Sequence, residues 1–318
     1  MRLRQRPDAS WYREGTTDSV AHDESIRDYS TLVRALAEHD ASNFRAILDA
    51  GANEGTSTRI FAEAYPRATI VSLEVSNETL AMARLNTAMY ANVVLRPVAL
   101  WDEDTSVRFH PSIYGEWANN VRPMAASAES RGHSPSSLES EIPVAAMTVP
   151  ALLRDHRLDA FDFMKIDIEK AEMRLLNGSR LEWLARTRYL FLEGHLPGQK
   201  RLPERSKLTF LATLLASGLC MFTMPEYHRM GALDAHEYVY FGCNKAVPHA
   251  QCARICRSWQ AYRAQLVAKL DAAPPRTPFE CELVTDAHDF TGVMARAQRM
   301  GVGVQVSWKN FTRSFRSW

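Results

Sequence analysis

Two rhythms of apolar and polar positions trade places along this chain. Ala46-Ile47-Leu48-Asp49-Ala50 is a short apolar run closed by a glycine-containing turn, which reads as a buried strand. Thr56–Ala64 follows with helical character and is stopped by Pro66. Thr69–Leu73 is a second, β-branched strand ending at Glu74, a helix runs from Asn77 to Tyr90, and Val93–Leu100 reads as a third strand. The alternation resumes with a helix at Thr148–His156, a strand at Phe161–Ile166, a helix at Ala171–Leu176 and a strand at Arg188–Leu192. A helix across Lys207–Ser217 leads to Leu219–Met224 and Glu237–Phe241, two strands spaced as an antiparallel pair at one sheet edge. Strands alternating with helices predict an α/β fold: a seven-stranded, mostly parallel sheet with helices on both faces.

The flanks differ from this core, which spans 45–245. Residues 1–44 read as a polar, aperiodic arm over 1–23 followed by an amphipathic helix carrying Ile26, Tyr29, Val33 and Leu36. Within the core, residues 102–142 break the rhythm with Pro111, Gly115, Pro123, Gly132, Pro135 and a serine-rich middle, so a lid or substrate loop is expected there. Its Tyr114, Trp117, Asn119 and Asn120 mix flat apolar surface with amide groups, which suits a sugar or aromatic polyol. Residues 246–318 form an appendage: a long helix over Ala250–Asp271, a Pro274-Pro275 stop, and an alternating strand through Val302, Val304, Val306 and Trp308. Its ending, Phe311–Trp318, reads as folding back on its own domain, with a homodimer through the appendage as the alternative.

Composition narrows the function. Hydrophobic residues at 46% and charged residues at 24% are those of a folded globular chain. Thirty-eight basic against thirty-seven acidic side chains leave +1, too little field to grip nucleic acid or an anionic membrane. Arg2, Arg4 and Arg6 are followed by Asp8, Glu14 and Asp18 instead of an apolar stretch, and no apolar run approaches the ~20 residues that span a bilayer. Five cysteines in a long chain point to a reducing cytoplasm with free thiols. Cys252 and Cys256, near His249 and Cys243, keep ordinary helical spacing and predict no metal.

The chemistry concentrates at Asp49-Ala50-Gly51-Ala52-Asn53-Glu54-Gly55, between the first strand and the first helix. Ligands of open α/β sheets settle over such a turn, where glycines admit a close backbone approach. Asn53 stands where a dinucleotide fingerprint needs its second glycine, and no phosphate-cradling G-K-[ST] follows, which disfavours NAD and ATP. A ligand with an aminoacyl end would use the turn's amides, with Asp49 for its ammonium, while Glu74 accepts from two ribose hydroxyls. S-adenosylmethionine satisfies both demands. Gly51, Ala52, Asn53 and Gly55 are therefore expected at the cofactor, with Val75 after the second strand and Ala99 near the end of the third.

The same residues carry a family resemblance. Asp-Ala-Gly-Ala-Asn-Glu-Gly, Leu73-Glu74-Val75-Ser76-Asn77, Asn86, Lys165-Ile166-Asp167-Ile168-Glu169-Lys170-Ala171-Glu172 and Leu192-Glu193-Gly194-His195 resemble, in order and spacing, the motifs of FkbM-type methyltransferases over about 45–245. The resemblance implies a Rossmann-like class I methyltransferase fold and O-methylation of small molecules, commonly sugar or polyketide hydroxyls in natural-product biosynthesis. Val75 stands where the family usually has proline and Lys170 where it usually has glycine; the second departure bears on the substrate.

Methyl transfer to a hydroxyl needs alignment and a proton acceptor. Asp167 ends the fourth strand and Glu193 and His195 the fifth, so all three are expected in one crevice. His195 is the expected base, Asp167 orienting cofactor or substrate and Glu193 the imidazole. The alternatives are a divalent cation on these groups acting on a catechol-like acceptor, and a non-catalytic protein that keeps the cofactor fold. Glu169 and Glu172 suit a helix start, with Lys165 expected to pair with one of them.

Overall fold

The computed structural model describes residues 2–40, 43–111, 120–124, 142–169, 171–176, 181–194, 219–225, 238–270 and 282–283. A hairpin, β1 (Leu3–Gln5) and β2 (Trp11–Arg13), precedes α1 (Asp18–Ser25), a π-helical turn (Ile26–Ser30) and α2 (Thr31–His39). Then come β3 (Ala46–Ala50), α3 (Thr56–Ala64), β4 (Thr69–Leu73), α4 (Asn77–Thr87), β5 (Val93–Arg96), β6 (Ala99–Leu100), β7 (Thr105–His110), β8 (Asn120–Pro123) and β9 (Ile142–Met147). They are followed by α5 (Val149–Asp155), β10 (Phe163–Ile166), α6 (Glu172–Leu176), β11 (Tyr189–Gly194), β12 (Leu219–Pro225), β13 (Tyr238–Asn244), α7 (His249–Leu270) and β14 (Glu282–Leu283).

The main sheet has the order β14-β12-β13-β11-β10-β3-β4-β5. Its members from β11 to β5 are parallel, and β13, β12 and β14 join antiparallel, so the sheet is mixed. The edge pair expected from the sequence is β12–β13, but the short β14 brings the sheet to eight strands where seven are expected. Period-two alternation sorts the strand residues onto two faces. Ala46, Leu48 and Ala50 join Met164 and Ile166 against α5 and α6, while Ile47, Phe163 and Phe191 face α2, α3 and α7. Both faces are therefore covered by helices, as buried parallel strands require.

Several segments depart from expectation for identifiable reasons. The third strand breaks at Pro97, which cannot donate to a ladder, and β6 turns away into a second sheet of order β6-β9-β7-β8. Residues 102–142, read as a loop, thus contribute β7 and β8; Tyr114, Trp117 and Asn119 lie outside the described residues. The polar stretch 1–23 is not loose. Asp18 accepts from the Arg13 backbone at 2.8 Å and pairs with its guanidinium at 2.6 Å, both side chains buried, which pins the hairpin to α1. Asn86 ties this hairpin to the turn after β3, accepting from Trp11 N–H at 2.7 Å and donating to the Glu54 carbonyl at 2.8 Å.

The C-terminal helix is part of the core: Trp259 on α7 is fully buried and packs edge-on against Phe191 and Phe241. Two of the cysteines expected as free thiols are paired. Cys243, at the end of β13, and Cys252, in the first turns of α7, form a disulfide, because that tight connection brings their Cα atoms to 6.1 Å. No helix among the described residues is long and apolar enough to cross a membrane. The expected helix at 207–217, the strand through 302–308 and the 311–318 ending lie outside the described residues.

Candidate functional site

The carboxyl ends of β3, β4, β10 and β11 are adjacent in the sheet, so the residues that close these strands meet at one edge. The turn after β3 is shaped by three left-handed residues: Gly51 at φ 79°, Asn53 at φ 50° and Gly55 at φ 91°. Gly51 and Ala52 donate backbone N–H bonds to the Leu73 carbonyl at 3.1 and 2.9 Å, fastening the turn to the end of β4. Glu74, one residue on, accepts from Asn53 N–H through Oε2 at 3.0 Å and from Ser76 N–H through Oε1 at 2.8 Å. Burial pushes its carboxyl up, against the pull of those donors.

This geometry fits a nucleoside with an aminoacyl end. With backbone amides on both oxygens, the Glu74 carboxylate still has lone-pair capacity to accept from a further donor such as a hydroxyl. The Asn53 Oδ1 atom is buried in the turn with no hydrogen bond among the described residues, an acceptor with unused capacity beside Glu74. Val75 is half-buried and Ala99 buried in one apolar cluster with Trp101 and Ala146, where the second sheet meets the crevice.

Asp49 sits deeper than expected. It is fully buried; Oδ2 accepts from Ser57 and Thr58 hydroxyls at 2.8 and 2.6 Å, and Oδ1 lies 3.6 Å from Lys165 Nζ. It knits β3 to the first turn of α3 beneath the crevice. Lys165, on β10, is 3.2 Å from Asp167 Oδ2 and donates to the Gly51 carbonyl at 2.5 Å. Its ion-pair partners are thus Asp49 and Asp167, rather than the expected Glu169 or Glu172. Burial alone would lower this ammonium; Asp167 and Asp49 outweigh it and hold Lys165 above the usual lysine range. Glu172, buried, accepts from Ile168 N–H at 2.9 Å and so closes the turn between β10 and α6.

Asp167 and Glu193 are both half-buried at the ends of β10 and β11, next to one another in the sheet. His195 lies outside the described residues. Sequence reasoning missed two side chains that join these carboxylates from the π-helical turn: Arg27, within the field of Glu193, and Tyr29, whose ring lies 5.5 Å from Lys165 Nζ. A helical spacing marked Tyr29 as apolar docking surface, and nothing in the chain signalled the carboxylates it meets.

Glu54 also escaped notice. It is buried and accepts from Thr56 Oγ1 at 2.5 Å, and that hydroxyl lies 3.0 Å from His22 Nδ1, linking the turn to α1. With Thr56 donating to the carboxyl, its oxygen accepts a hydrogen bond from His22 Nδ1–H. Burial pushes the Glu54 carboxyl up to about 7. The folded protein therefore holds this proton more tightly than the unfolded chain, whose glutamate titrates near 4.5. The stability so contributed is complete below pH 4.5 and is lost as pH rises through about 7. Glu54→Gln, which mimics the protonated acid, should be the more stable protein at pH 8 by roughly 1–3 kcal/mol, the gap closing below pH 5 in urea titrations. An equal gap at both pH values would count against the raised acid.

A family model described as the methyltransferase FkbM domain matches residues 49–215. The 2-O-methyltransferase NoeI of Sinorhizobium fredii is 24% identical over 173 residues, covering 53% of this chain and 69% of the relative. Among solved structures, the precorrin-6y C5,15-methyltransferase of Geobacter metallireducens aligns with 11% identity and a TM-score of 0.34, over 67% of this chain and 86% of that one. The fibrillarin of Aeropyrum pernix, in complex with S-adenosyl-L-methionine, aligns with 11% identity and a TM-score of 0.34, over 67% of this chain and 76% of that one.

Proposed function

The chain belongs to the FkbM family of S-adenosylmethionine-dependent methyltransferases, and we propose that it methylates a hydroxyl oxygen on a small molecule such as a sugar or polyketide. The observation that carries this reading is the meeting of two groups at one sheet edge: the cofactor-shaped turn with Glu74, and the carboxylates Asp167 and Glu193 beside it. The 2-O-methyltransferase activity in the name of the distant relative favours oxygen as the acceptor atom.

In this reading Gly51, Ala52 and Asn53 offer backbone to the aminoacyl end, Gly55 lets α3 begin close behind, and Asp49 supports the turn from below. Glu74 takes the ribose hydroxyls, with Val75 and Ala99 as the apolar lining of the base. S-adenosylmethionine, when bound, supplies a methyl group on a sulfonium, open to in-line attack. The chain's own contribution is to hold the acceptor hydroxyl in that line, to exclude water and to take its proton. His195, following β11, is the proton acceptor, Glu193 orients it, and Asp167 orients the acceptor or the aminoacyl group.

Two substitutions separate the roles. Glu74→Ala should raise the cofactor Kd about 10–100-fold, the worth of two hydrogen bonds to a carboxylate. His195→Ala should leave that Kd unchanged and lower turnover by about 100-fold or more. Titration calorimetry and transfer of tritium from methyl-labelled cofactor to sugar, polyketide and phenolic acceptors read both. Label appearing on nitrogen or carbon, and on no hydroxyl, would overturn the O-methylation reading.

A further inference from the structure

The π-helical turn Ile26–Ser30 lies outside the family-matched residues, yet its Tyr29 ring comes within 5.5 Å of the Lys165 ammonium. Such turns interrupt regular helical hydrogen bonding and occur frequently at functional sites. This one is braced from behind by the C-terminal helix. Trp259 Nε1 on α7 donates to the Asp28 carbonyl at 3.0 Å, and the Asp28 carboxylate pairs with the buried Arg263 and, at 3.1 Å, with Arg27. Two segments flanking the matched domain therefore cooperate to fix five residues in place.

The brace presents Tyr29 and Arg27. The Tyr29 ring is wedged edge-on against Phe61 and Phe191, with centroids at 5.7 and 5.0 Å. It lies on the sheet face that carries Asp49, Asp167 and Glu193, its centroid 5.5 Å from the Lys165 ammonium that pairs with Asp49 and Asp167. Its hydroxyl makes no hydrogen bond to any described residue and reaches solvent at the end of an otherwise buried side chain. Burial, and behind it the charges of Asp167 and Glu193, hold the phenol well above its usual range, so it is a donor at every physiological pH. The cations here, Lys165, Arg27 and Arg263, are already engaged with acids. An anionic acceptor would therefore meet like charge from Asp167 and Glu193.

We propose that the π-helical turn forms the acceptor-facing wall of the site, that the Tyr29 hydroxyl hydrogen-bonds the acceptor, and that the acceptor is an uncharged polyol. This rests on the O-methylation reading above. Tyr29→Phe keeps the ring contacts and removes only the hydroxyl, so a purely structural role for Tyr29 leaves kinetics unmoved. The full chain is assayed with methyl-labelled cofactor on a panel of methyl hexosides and the matching hexose 6-phosphates.

The expected result is transfer to the neutral glycosides over the phosphates. In Tyr29→Phe, kcat/KM for the glycoside should fall about 10-fold or more, with cofactor Kd and unfolding midpoint unchanged. An unchanged kcat/KM, or a loss confined to cofactor affinity, overturns the role of Tyr29 and leaves O-methylation standing. Preference for the phosphates, or transfer to phenols and to none of these sugars, overturns the uncharged polyol. Transfer to no hydroxyl of any kind overturns both this proposal and the reading beneath it.

Discussion

Gly51→Ala should leave the chain without a stable native state at room temperature. The residue sits at φ 79°, in the left-handed region that alanine enters at a cost of about 1–2 kcal/mol. Space is the larger problem. A Cβ at this position would lie 1.8 Å from the Asp167 carbonyl oxygen, which is backbone and has no rotamer to escape into. Relief would require β3 and β10, paired in parallel from Ile47–Phe163 to Ala50–Ile166, to move apart at the centre of the sheet. The sum is several kcal/mol against a total of about 5–15 for a domain. Gly15 provides the control: its φ is 83°, but a Cβ there meets nothing within 4 Å, so Gly15→Ala carries the backbone cost alone. Urea unfolding of both variants checks the argument. Equal losses would mean that backbone conformation, and not the carbonyl of Asp167, demands glycine at position 51.

That glycine was legible in the sequence because a strand, a glycine and an acid at the next strand end are local features with local consequences. Glu74 was legible for the same reason: its place at the end of β4 follows from the length of the helix between two short apolar runs. The two-faced packing of Ala46–Ala50 was implied by its uninterrupted apolarity, which only a strand covered on both sides tolerates. What stayed hidden depends on long-range pairing. The departure of β6 after Pro97 places Ala99 opposite Ala146, forty-seven residues away, and no window of sequence contains both. The Arg13–Asp18 clamp falls in the stretch that reads as a polar, aperiodic arm, since a buried ion pair and an exposed one have the same composition. Tyr29 shows the limit most clearly. Its spacing predicted a docking helix, which is what it helps to form, but Asp167 and Glu193, whose charges act on its phenol, belong to strand ends more than a hundred residues further on.

Lys165→Met should be the second severe substitution, and for an electrostatic reason. The lysine side chain is 2% exposed, and Asp49, 3.6 Å from its ammonium, is 0% exposed, so removing the cation strands a carboxylate with no route to water. Breaking a buried pair from one side costs about 3–5 kcal/mol. The Gly51 carbonyl also loses the donor at 2.5 Å, and Asp167, at 25% exposure, loses the cation 3.2 Å away. Methionine keeps the stem's volume, so a cavity does not explain the loss. The double variant Lys165→Met/Asp49→Asn decides the cause. Asparagine keeps an acceptor for the Ser57 and Thr58 hydroxyls while removing the stranded charge. If the charge is at fault, the double variant should recover about 1–3 kcal/mol in urea unfolding relative to the single one, a coupling that adjacent groups in one network display. Additive losses would instead assign the effect to packing. Recovery of stability without recovery of cofactor affinity would further separate the two duties of Lys165, neutralising Asp49 beneath the turn and holding the Gly51 carbonyl and Asp167 at its surface.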